Sequence, residues 1–289
     1  MNEIVPIKSI KLIVGGDKFF NYPSGICLHH ESNLFYIADM HNHRICWVKA
    51  DGTAGPLTNI VAGSNYCSSL ERPLAVWVTK QGTLFTSDAS HNMIFCKTPK
   101  EDVWRPIHVA WTFSFNLPGG VAVDASRNVY TNDFMNNRLV QITPEGKLKV
   151  LLDSTGDLSK PYGIFYKNNK LYYTDTGNAR IGYIDLEDGQ VHIVNYQAEN
   201  QKLNAPTAIT LDEQGNIYIC EQRSMYFLDI QKNTLSLIVN QDIWKEQMNR
   251  YIIQDRICHI GAATIKNKGE IYWVDTIKGN VYLMILDIS

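Results

Sequence analysis

The sequence predicts an all-β protein, a six-bladed β-propeller built from four-stranded antiparallel blades. One observation behind this prediction is a repeat whose successive openings lie 43 to 54 residues apart, between Pro23 and Ile260. This is the spacing of propeller blades. The other observation is the content of each repeat, which holds short runs of alternating apolar and polar residues, rich in β-branched and aromatic side chains, with turn residues between them.

Each repeat opens with a proline or its equivalent, and an acidic residue ends a second strand-like run 14 to 16 residues later. The six pairs are Pro23 and Asp39, Pro73 and Asp88, Pro118 and Asp133, Pro161 and Asp175, Pro206 and Glu221, and Ile260 and Asp275. In the third repeat the predicted strands are Gly119–Asp124, Val129–Asn132, Arg138–Ile142 and Lys147–Leu152.

These repeats predict one domain over residues 1–289, with blades near 22–62, 72–111, 117–152, 160–195, 205–239 and 259–289. The sixth repeat has room for only three strands. A strand-like segment at 9–14 precedes the first repeat and belongs to no blade of its own. We therefore expect this N-terminal strand to join the last blade and close the ring, which would leave no long sheet edge open.

Composition narrows the classes of function. Hydrophobic residues make up 45% and charged residues 19%, and the net charge is −2. This balance gives no electrostatic signature of a nucleic-acid or membrane partner. The six cysteines form no CxxC pair, so reduced thiols are expected. Glu3 stands where a signal peptide would carry positive charge. We expect a cytoplasmic monomer.

Two motifs within the repeats resemble a known family. Pro-x-Gly-Ile occurs at Pro23 and Pro161, and Asp-x-x-Asn-x-Arg begins at Asp39, Asp133 and Asp175. Both resemble the NHL repeat, and the resemblance extends over essentially the whole chain. It implies a six-bladed propeller, with the carboxylate accepting backbone donors and the Asn-x-Arg pair tying blades together. It implies no particular function, because propellers host many unrelated activities.

The default ligand site of a propeller is the mouth of its central channel. The residues that open the six inner strands are Ser24, Leu74, Gly119, Tyr162, Thr207 and Gly261. Metal-dependent propellers of similar fold, such as the gluconolactonase family, place histidine or acidic ligands at these positions. This set contains neither, so we expect no metal and no cofactor at the mouth.

The candidates for acid–base chemistry flank the mouth. Glu221 replaces the aspartate of the other repeats and is followed by Arg223 rather than by the Asn-x-Arg pair, and such breaks of a local rule often mark function. His259 precedes the last inner strand and is a candidate general base. With Tyr162, these residues form the predicted catalytic set. The alternatives are a conservative replacement at Glu221 and a packing role for His259.

Aromatic residues concentrate in the segments that lead to the mouth. The predicted substrate contacts are Phe19, Tyr22, Ser24, Phe134, Thr207, Trp244 and Tyr251. The last two lie in the long connection 240–259, where Trp244, Met248, Tyr251 and Ile252 follow a helical period. Such a helix could form a lid over the mouth. The alternative is that these side chains cover the core between blades. His41, His43 and His91 lie in loops of the first two blades, and a metal there is the weaker interpretation.

Two classes of function fit these features. The first is a metal-independent enzyme of the lyase, cyclase or hydrolase type, acting on a hydrophobic or aromatic small molecule. The second is a non-catalytic propeller that binds a protein or peptide on the same aromatic face. A nucleic-acid role ranks third, because it would require a basic face. The enzyme is favoured slightly, since no residues remain for a second module.

Overall fold

The computed structural model describes residues 4–15, 19–109, 113–198, 201–250 and 259–288, with side chains in the single α-helix described as far as residue 247. Blades 1 to 3 are formed by consecutive strands. Blade 1 contains β2 (Pro23–His29), β3 (Leu34–Asp39), β4 (Arg44–Val48) and β5 (Ala54–Pro56). Blade 2 contains β6 (Pro73–Val78), β7 (Leu84–Asp88), β8 (Met93–Lys97) and β9 (Arg105–Pro106). Blade 3 contains β10 (Pro118–Val123), β11 (Val129–Asp133), β12 (Arg138–Ile142) and β13 (Leu148–Leu152).

Blades 4 and 5 follow the same plan, and blade 6 recruits the first strand of the chain. Blade 4 contains β14 (Pro161–Lys167), β15 (Lys170–Asp175), β16 (Arg180–Asp185) and β17 (Val191–Ile193). Blade 5 contains β18 (Ala208–Leu211), β19 (Ile217–Cys220), β20 (Met225–Asp229) and β21 (Thr234–Val239). Blade 6 contains β22 (Ile260–Asn267), β23 (Glu270–Asp275), β24 (Asn280–Leu286) and β1 (Ile7–Val14). The helix α1 (Gln241–Arg250) precedes blade 6, and 3-10 turns cover Met40–Asn42, Phe134–Asn136, Ser154–Gly156 and Thr176–Asn178.

The predicted fold is confirmed, including the way in which the ring closes. β1 pairs antiparallel with β24, from Ile7 opposite Leu286 to Val14 opposite Val281, and is the outermost strand of blade 6. Ile10 on β1 is buried in the core shared by blades 5 and 6. The two ends of the chain thus complete one sheet, and the last blade has the same four strands as the others.

Small residues near the start of the inner strands allow adjoining blades to approach one another. A Cβ atom on Gly25 of blade 1 would lie 2.9 Å from the Cα of Ala75 in blade 2, and one on Gly163 of blade 4 would lie 2.7 Å from the carbonyl oxygen of Thr207 in blade 5. Real side chains do not tolerate such contacts with backbone. The glycine of the Pro-x-Gly motif is therefore required by the narrow centre of the ring.

The acidic residue that ends each second strand organises the loops on the mouth side. Asp39 is fully buried, and its carboxylate accepts hydrogen bonds from the Asn21 N–H (2.7 Å), the Asn42 side chain (2.8 Å) and the Arg44 Nε (2.8 Å). Arg44 also donates to the carbonyl of Phe19 (2.7 Å), in the connection that enters blade 1. Asp133 and Asp175 repeat this arrangement with an asparagine and an arginine of their own. The Asn-x-Arg pair therefore serves the architecture.

Blade 5 departs from the repeat in its backbone as well as in its sequence. In the other five blades the residue that opens the repeat pairs with the terminal aspartate, as Pro23 does with Asp39. In blade 5 the inner strand begins only at Ala208, which pairs with Cys220. The pair between the residue that opens the repeat and the terminal acid is therefore missing. The acid of this blade, Glu221, needs a longer side chain to reach the connection that precedes blade 5.

Two further properties bear on the chemistry available to the protein. In the part of the chain that the structure describes, no helix is long and apolar enough to cross a membrane. The thiols of Cys27, Cys46, Cys67, Cys96 and Cys220 are free, as expected, and Cys258 lies outside the described residues.

Candidate functional site at the mouth of the central channel

The central channel is narrow and is obstructed by two aromatic rings. All six residues that open the inner strands line it. Further along, Trp77 of blade 2 and Phe165 of blade 4 meet in an edge-to-face contact, with ring centroids 5.3 Å apart. The channel cavity measures only about 90 Å³, well below the ~300 Å³ at which drug-sized pockets begin. A ligand of ordinary size therefore has to lie over the mouth rather than within the channel.

One side of the mouth is apolar. Met40, Leu74 and Ala89 form a buried cluster across blades 1 and 2, with Leu117 of blade 3 packed against it. Phe134 and Tyr162 continue this surface in an edge-to-face contact, with ring centroids 5.6 Å apart. These side chains provide a hydrophobic floor on the side of blades 1 to 4.

An aromatic pair borders this floor on blade 1. Tyr22 is 39% exposed and stacks on His41, with centroids 4.3 Å apart. Its backbone has a left-handed φ of 54°, which Leu117 (59°) and Lys160 (48°) share at the same position before the opening prolines of blades 3 and 4, so this conformation belongs to the repeat. The predicted ligand contacts Tyr22 and Phe134 and the predicted catalytic residue Tyr162 thus lie around the same opening.

Tyr162 is the most distinctive side chain of the floor. Burial raises the pKa of its phenol, and the nearby positive charge of Arg72 works in the opposite direction. The hydroxyl makes no hydrogen bond within the described ranges. At neutral pH it is therefore a protonated donor available to a ligand.

The opposite side of the mouth, at blades 5 and 6, carries polar groups without partners. The Nδ1 atom of His259 is buried and has no hydrogen-bond partner, and the same holds for Oγ1 of Thr276 beside it, among the residues described. The Thr276 N–H donates to the His259 carbonyl (2.8 Å). Burial lowers the pKa of His259, the charge of Arg223 lowers it further, and Asp275 opposes both. The result is a neutral imidazole with an unused nitrogen.

Glu221 has a structural role that the sequence did not reveal. Its Oε1 atom accepts hydrogen bonds from the backbone N–H groups of Asn204 (2.6 Å) and Ala205 (3.1 Å). Asp39, Asp88, Asp133 and Asp175 make the same kind of contact with the connections before their own blades. The longer side chain thus compensates for the missing opening pair of blade 5. This geometry favours the conservative replacement over a catalytic role.

Three of the predicted substrate contacts, Ser24, Thr207 and Phe19, interact with other strands or loops of the protein. Ser24 donates through Oγ to the Leu74 carbonyl (2.7 Å) of the next blade, and Thr207 donates to the Cys220 carbonyl (3.3 Å). Phe19 packs under the guanidinium of Arg44, 5.0 Å from the ring centroid. Ser24 and Thr207 still line the channel, whereas the position of Phe19 is that of a packing residue.

The α1 segment packs into the protein through Trp244. This side chain is 1% exposed and forms edge-to-face contacts with Trp273 (5.5 Å) and Tyr282 (5.2 Å) in the core between blades 5 and 6. Its position matches the interpretation that the insert covers the interblade core, and it is not placed to contact a ligand. Tyr251, Ile252 and the side chain of Met248 lie outside the described residues.

The loop histidines do not assemble a metal site. His43 interacts through its ring with the carbonyl of Glu71, His41 stacks on Tyr22, and His91 lies 3.3 Å from Asp88 and 3.6 Å from Glu71. Across the described ranges, no group of three or more histidine, cysteine, aspartate or glutamate side chains is arranged to hold a metal ion.

Sequence reasoning missed several residues that shape the site. The contact between Trp77 and Phe165 and the proximity of Arg72 to Tyr162 both join blade 2 to blade 4, which no local pattern reveals. A signal was nonetheless present for Arg72, because it directly precedes the opening proline of its blade. A second cavity of about 960 Å³ lies between blades 2 and 3, away from the mouth, lined in part by Phe85, Val123 and Pro144.

Comparison with known proteins supports the architecture. The family model of the NHL repeat matches residues 20–48, so the predicted resemblance is confirmed in blade 1. No curated protein matches the sequence.

Solved structures share the propeller fold over nearly the whole chain. A gluconolactonase from Xanthomonas campestris is 13% identical, with a TM-score of 0.71 over 96% of this chain and 89% of its own. Virginiamycin B lyase from Staphylococcus aureus, solved with quinupristin, is also 13% identical, with a TM-score of 0.66 over 96% of this chain and 99% of its own. A chain of a nidogen–laminin complex is 17% identical, with a TM-score of 0.64 over 85% and 86%. At these identities the similarity establishes the fold alone.

Proposed function

We propose that the protein is a small-molecule-binding propeller that acts at the mouth of its central channel as a metal-independent enzyme of the lyase or hydrolase type. The observation that carries the proposal is a set of polar groups around the mouth that have no hydrogen-bond partner among the described residues: the Tyr162 hydroxyl, His259 Nδ1 and Thr276 Oγ1. Buried polar groups are nearly always hydrogen-bonded in native proteins. Two such buried groups at one opening, His259 Nδ1 and Thr276 Oγ1, are well explained by a ligand that completes them, and the Tyr162 hydroxyl is a further donor for it.

The proposed roles follow from the protonation states. His259 has a lowered pKa and is neutral near pH 7, so it can accept a proton from a substrate held over the mouth. Tyr162 has a raised pKa and keeps its proton, so it can donate to a developing negative charge. Arg223 stabilises the anionic side of such a reaction. A gluconolactonase and virginiamycin B lyase share the fold, which supports a hydrolase or lyase type of reaction. The proposed metal independence rests on the residues of this chain alone.

A screen of aromatic small molecules by thermal shift tests the binding part of this proposal. We expect ligands that raise the melting temperature of the wild type by mass action and that lose this effect in Phe134→Ala. The matched control is Tyr183→Ala, an aromatic truncation on the third strand of blade 4. The binding proposal is overturned if no compound stabilises the protein, or if the two variants respond alike.

Product analysis of the compounds found in this way tests the catalytic part. Wild type should convert at least one of them, and His259→Gln should bind the same compound without converting it. If every compound that binds at the mouth is recovered unchanged, the catalytic role is wrong and binding alone remains.

The second candidate is a non-catalytic propeller that binds a protein or peptide. Two exposed apolar side chains on the mouth side, Met135 of blade 3 at 57% and Ile277 of blade 6 at 53% exposure, are available to such a partner. A propeller in the nidogen–laminin complex has the same fold. Selection from a peptide library against the wild type and Met135→Asp separates this candidate from the first.

A further inference from the structure

Three exposed cations at the mouth of the channel have no ion-pair partner among the described residues. Arg72, Lys160 and Arg223 are all exposed. No ion pair involves any of them within the described part of the chain, where other surface cations such as Arg105 and Lys8 do have acidic partners. The net charge of −2 therefore gives no indication of the charge at this opening.

Within the described ranges, none of the acidic residues nearby forms an ion pair with these cations. Asp39, Asp133 and Asp175 are fully buried, and each is already paired with the arginine of its own repeat. Glu221 and Asp88 accept hydrogen bonds from backbone N–H groups. The exposed Glu71 lies next to Arg72 in sequence, but its carboxylate is directed to His91, at 3.6 Å.

Arg72 is placed to act on the floor of the mouth. It directly precedes the inner strand of blade 2, and its charge is close enough to Tyr162 of blade 4 to affect the phenol. Blade 3 lies between them, and its opening residue is Gly119, which has no side chain to separate the two groups. Lys160 precedes Tyr162 by two residues. The Arg72 guanidinium and the Tyr162 phenol thus lie on the same side of the mouth.

This charged sector borders the hydrophobic floor. Leu74 and Leu117 pack together beneath the opening, and Phe134 contacts Tyr162 edge to face. A ligand that satisfies both surfaces must have an apolar body and an anionic group at one end. A neutral aromatic molecule would leave the cations without a partner, and a polyanion would leave the floor without one.

We propose that the ligand of this mouth is an apolar acid, a small molecule whose hydrophobic body lies on Leu74, Leu117 and Phe134. Its carboxylate or equivalent anionic group is bound by Arg72 and the Tyr162 hydroxyl. This inference rests on the proposed function and specifies the chemical class of its ligand. Guanidinium–carboxylate contacts are strong because both partners are charged and the geometry is bidentate.

The test is a panel of matched probes, in which aromatic carboxylic acids such as 2-naphthylacetate are compared with their primary amides such as 2-naphthylacetamide. Dissociation constants are measured calorimetrically for wild type, Arg72→Gln, Arg72→Lys and Tyr162→Phe. The control is Lys80→Gln, which removes one exposed cation outside the mouth. We expect the acids to bind wild type about tenfold or more tightly than the amides, since a hydrogen bond to a charged group is worth this much.

Arg72→Gln should remove this preference, Arg72→Lys should restore part of it, and the control should bind like wild type. If acids and amides bind equally, and Phe134→Ala weakens both, the proposed function stands and the acid preference is wrong. If neither binds in a way that depends on Phe134, the proposed function fails as well. A third outcome is that the protein binds a single-stranded RNA oligonucleotide but no acid, and that Arg72→Gln abolishes the RNA binding. This would overturn the inference in favour of a polyanion.

Discussion

The Glu221 carboxylate holds the backbone of Asn204, with 2.6 Å between its Oε1 atom and the Asn204 nitrogen. Because the side chain is buried, at 9% exposure, removing the acceptor leaves two backbone N–H groups without a partner. We expect Glu221→Ala to lower the free energy of unfolding by roughly 1–3 kcal/mol. Glu221→Gln, which keeps an acceptor oxygen, should cost less. Urea denaturation of both variants measures this.

The same pair of variants separates structure from chemistry at this position. If Glu221→Gln is as stable as wild type and binds ligand normally but is inactive, the carboxylate takes part in the reaction. Its assignment to the architecture would then be wrong.

The closure of the ring depends on the apolar face of β1. Ile10 is buried among residues of blades 5 and 6, whereas the next residue, Lys11, is exposed. Ile10→Asp should cost roughly 2–5 kcal/mol, because it removes core packing and buries a charge. Lys11→Asp on the same strand should change stability by about 0.5 kcal/mol or less. Thermal unfolding of the two variants gives the comparison.

A single cooperative transition in wild type, shifted as a whole by Ile10→Asp, would support the prediction that residues 1–289 form one domain. Equal melting temperatures for the two variants would show that β1 is not needed for closure.

The aromatic contact across the channel should make a measurable contribution. The rings of Trp77 and Phe165 meet edge to face, and such pairs are worth about 0.5–1.5 kcal/mol beyond the area they bury. A double-mutant cycle with Trp77→Leu and Phe165→Leu, followed by urea denaturation, should give a coupling energy in this range. Additive effects of the two substitutions would mean that the rings lie near each other without interacting.

The protonation of His259 should make stability depend on pH. Its pKa in the folded protein lies below the ordinary value of 6.5, so the unfolded chain binds more protons between these two values. The stabilisation is therefore complete above about pH 6.5 and is lost as the pH falls through the folded pKa. Between pH 7.5 and 5, wild type should lose more stability than His259→Gln.

NMR titration of the imidazole provides a second readout. Arg223→Gln should raise the pKa of His259, because the cation contributes to the lowering. Identical pH profiles for wild type and His259→Gln would contradict the buried, neutral state of this residue.

Much of the architecture could be predicted from the sequence because its signals are local. The repeat, the alternation within each strand and the strand-end acids each act within one blade, and the strands of blade 3 were placed to within a residue or so of Pro118–Val123, Val129–Asp133, Arg138–Ile142 and Leu148–Leu152. The closure by β1 followed from counting strands.

The site was harder to predict because its contacts join residues that are distant in sequence. Tyr162 of blade 4 meets Phe134 of blade 3, and Trp77 of blade 2 meets Phe165 of blade 4. The helical period that includes Trp244 is compatible with a lid and also with a helix that covers the core. Only the contact between Trp244 and Trp273 distinguishes the two. In the sequence Glu221 only breaks the aspartate pattern of the other repeats. The missing opening pair of blade 5, for which its longer side chain compensates, is visible only in the structure.

A crystal structure with the tightest-binding acid of the matched panel would show whether ligands bind over the mouth. We expect the aromatic body to lie on Leu74 and Phe134, with the acid group within hydrogen-bonding distance of Arg72 and the Tyr162 hydroxyl. A ligand found instead in the cavity between blades 2 and 3, with the mouth unoccupied, would contradict this expectation.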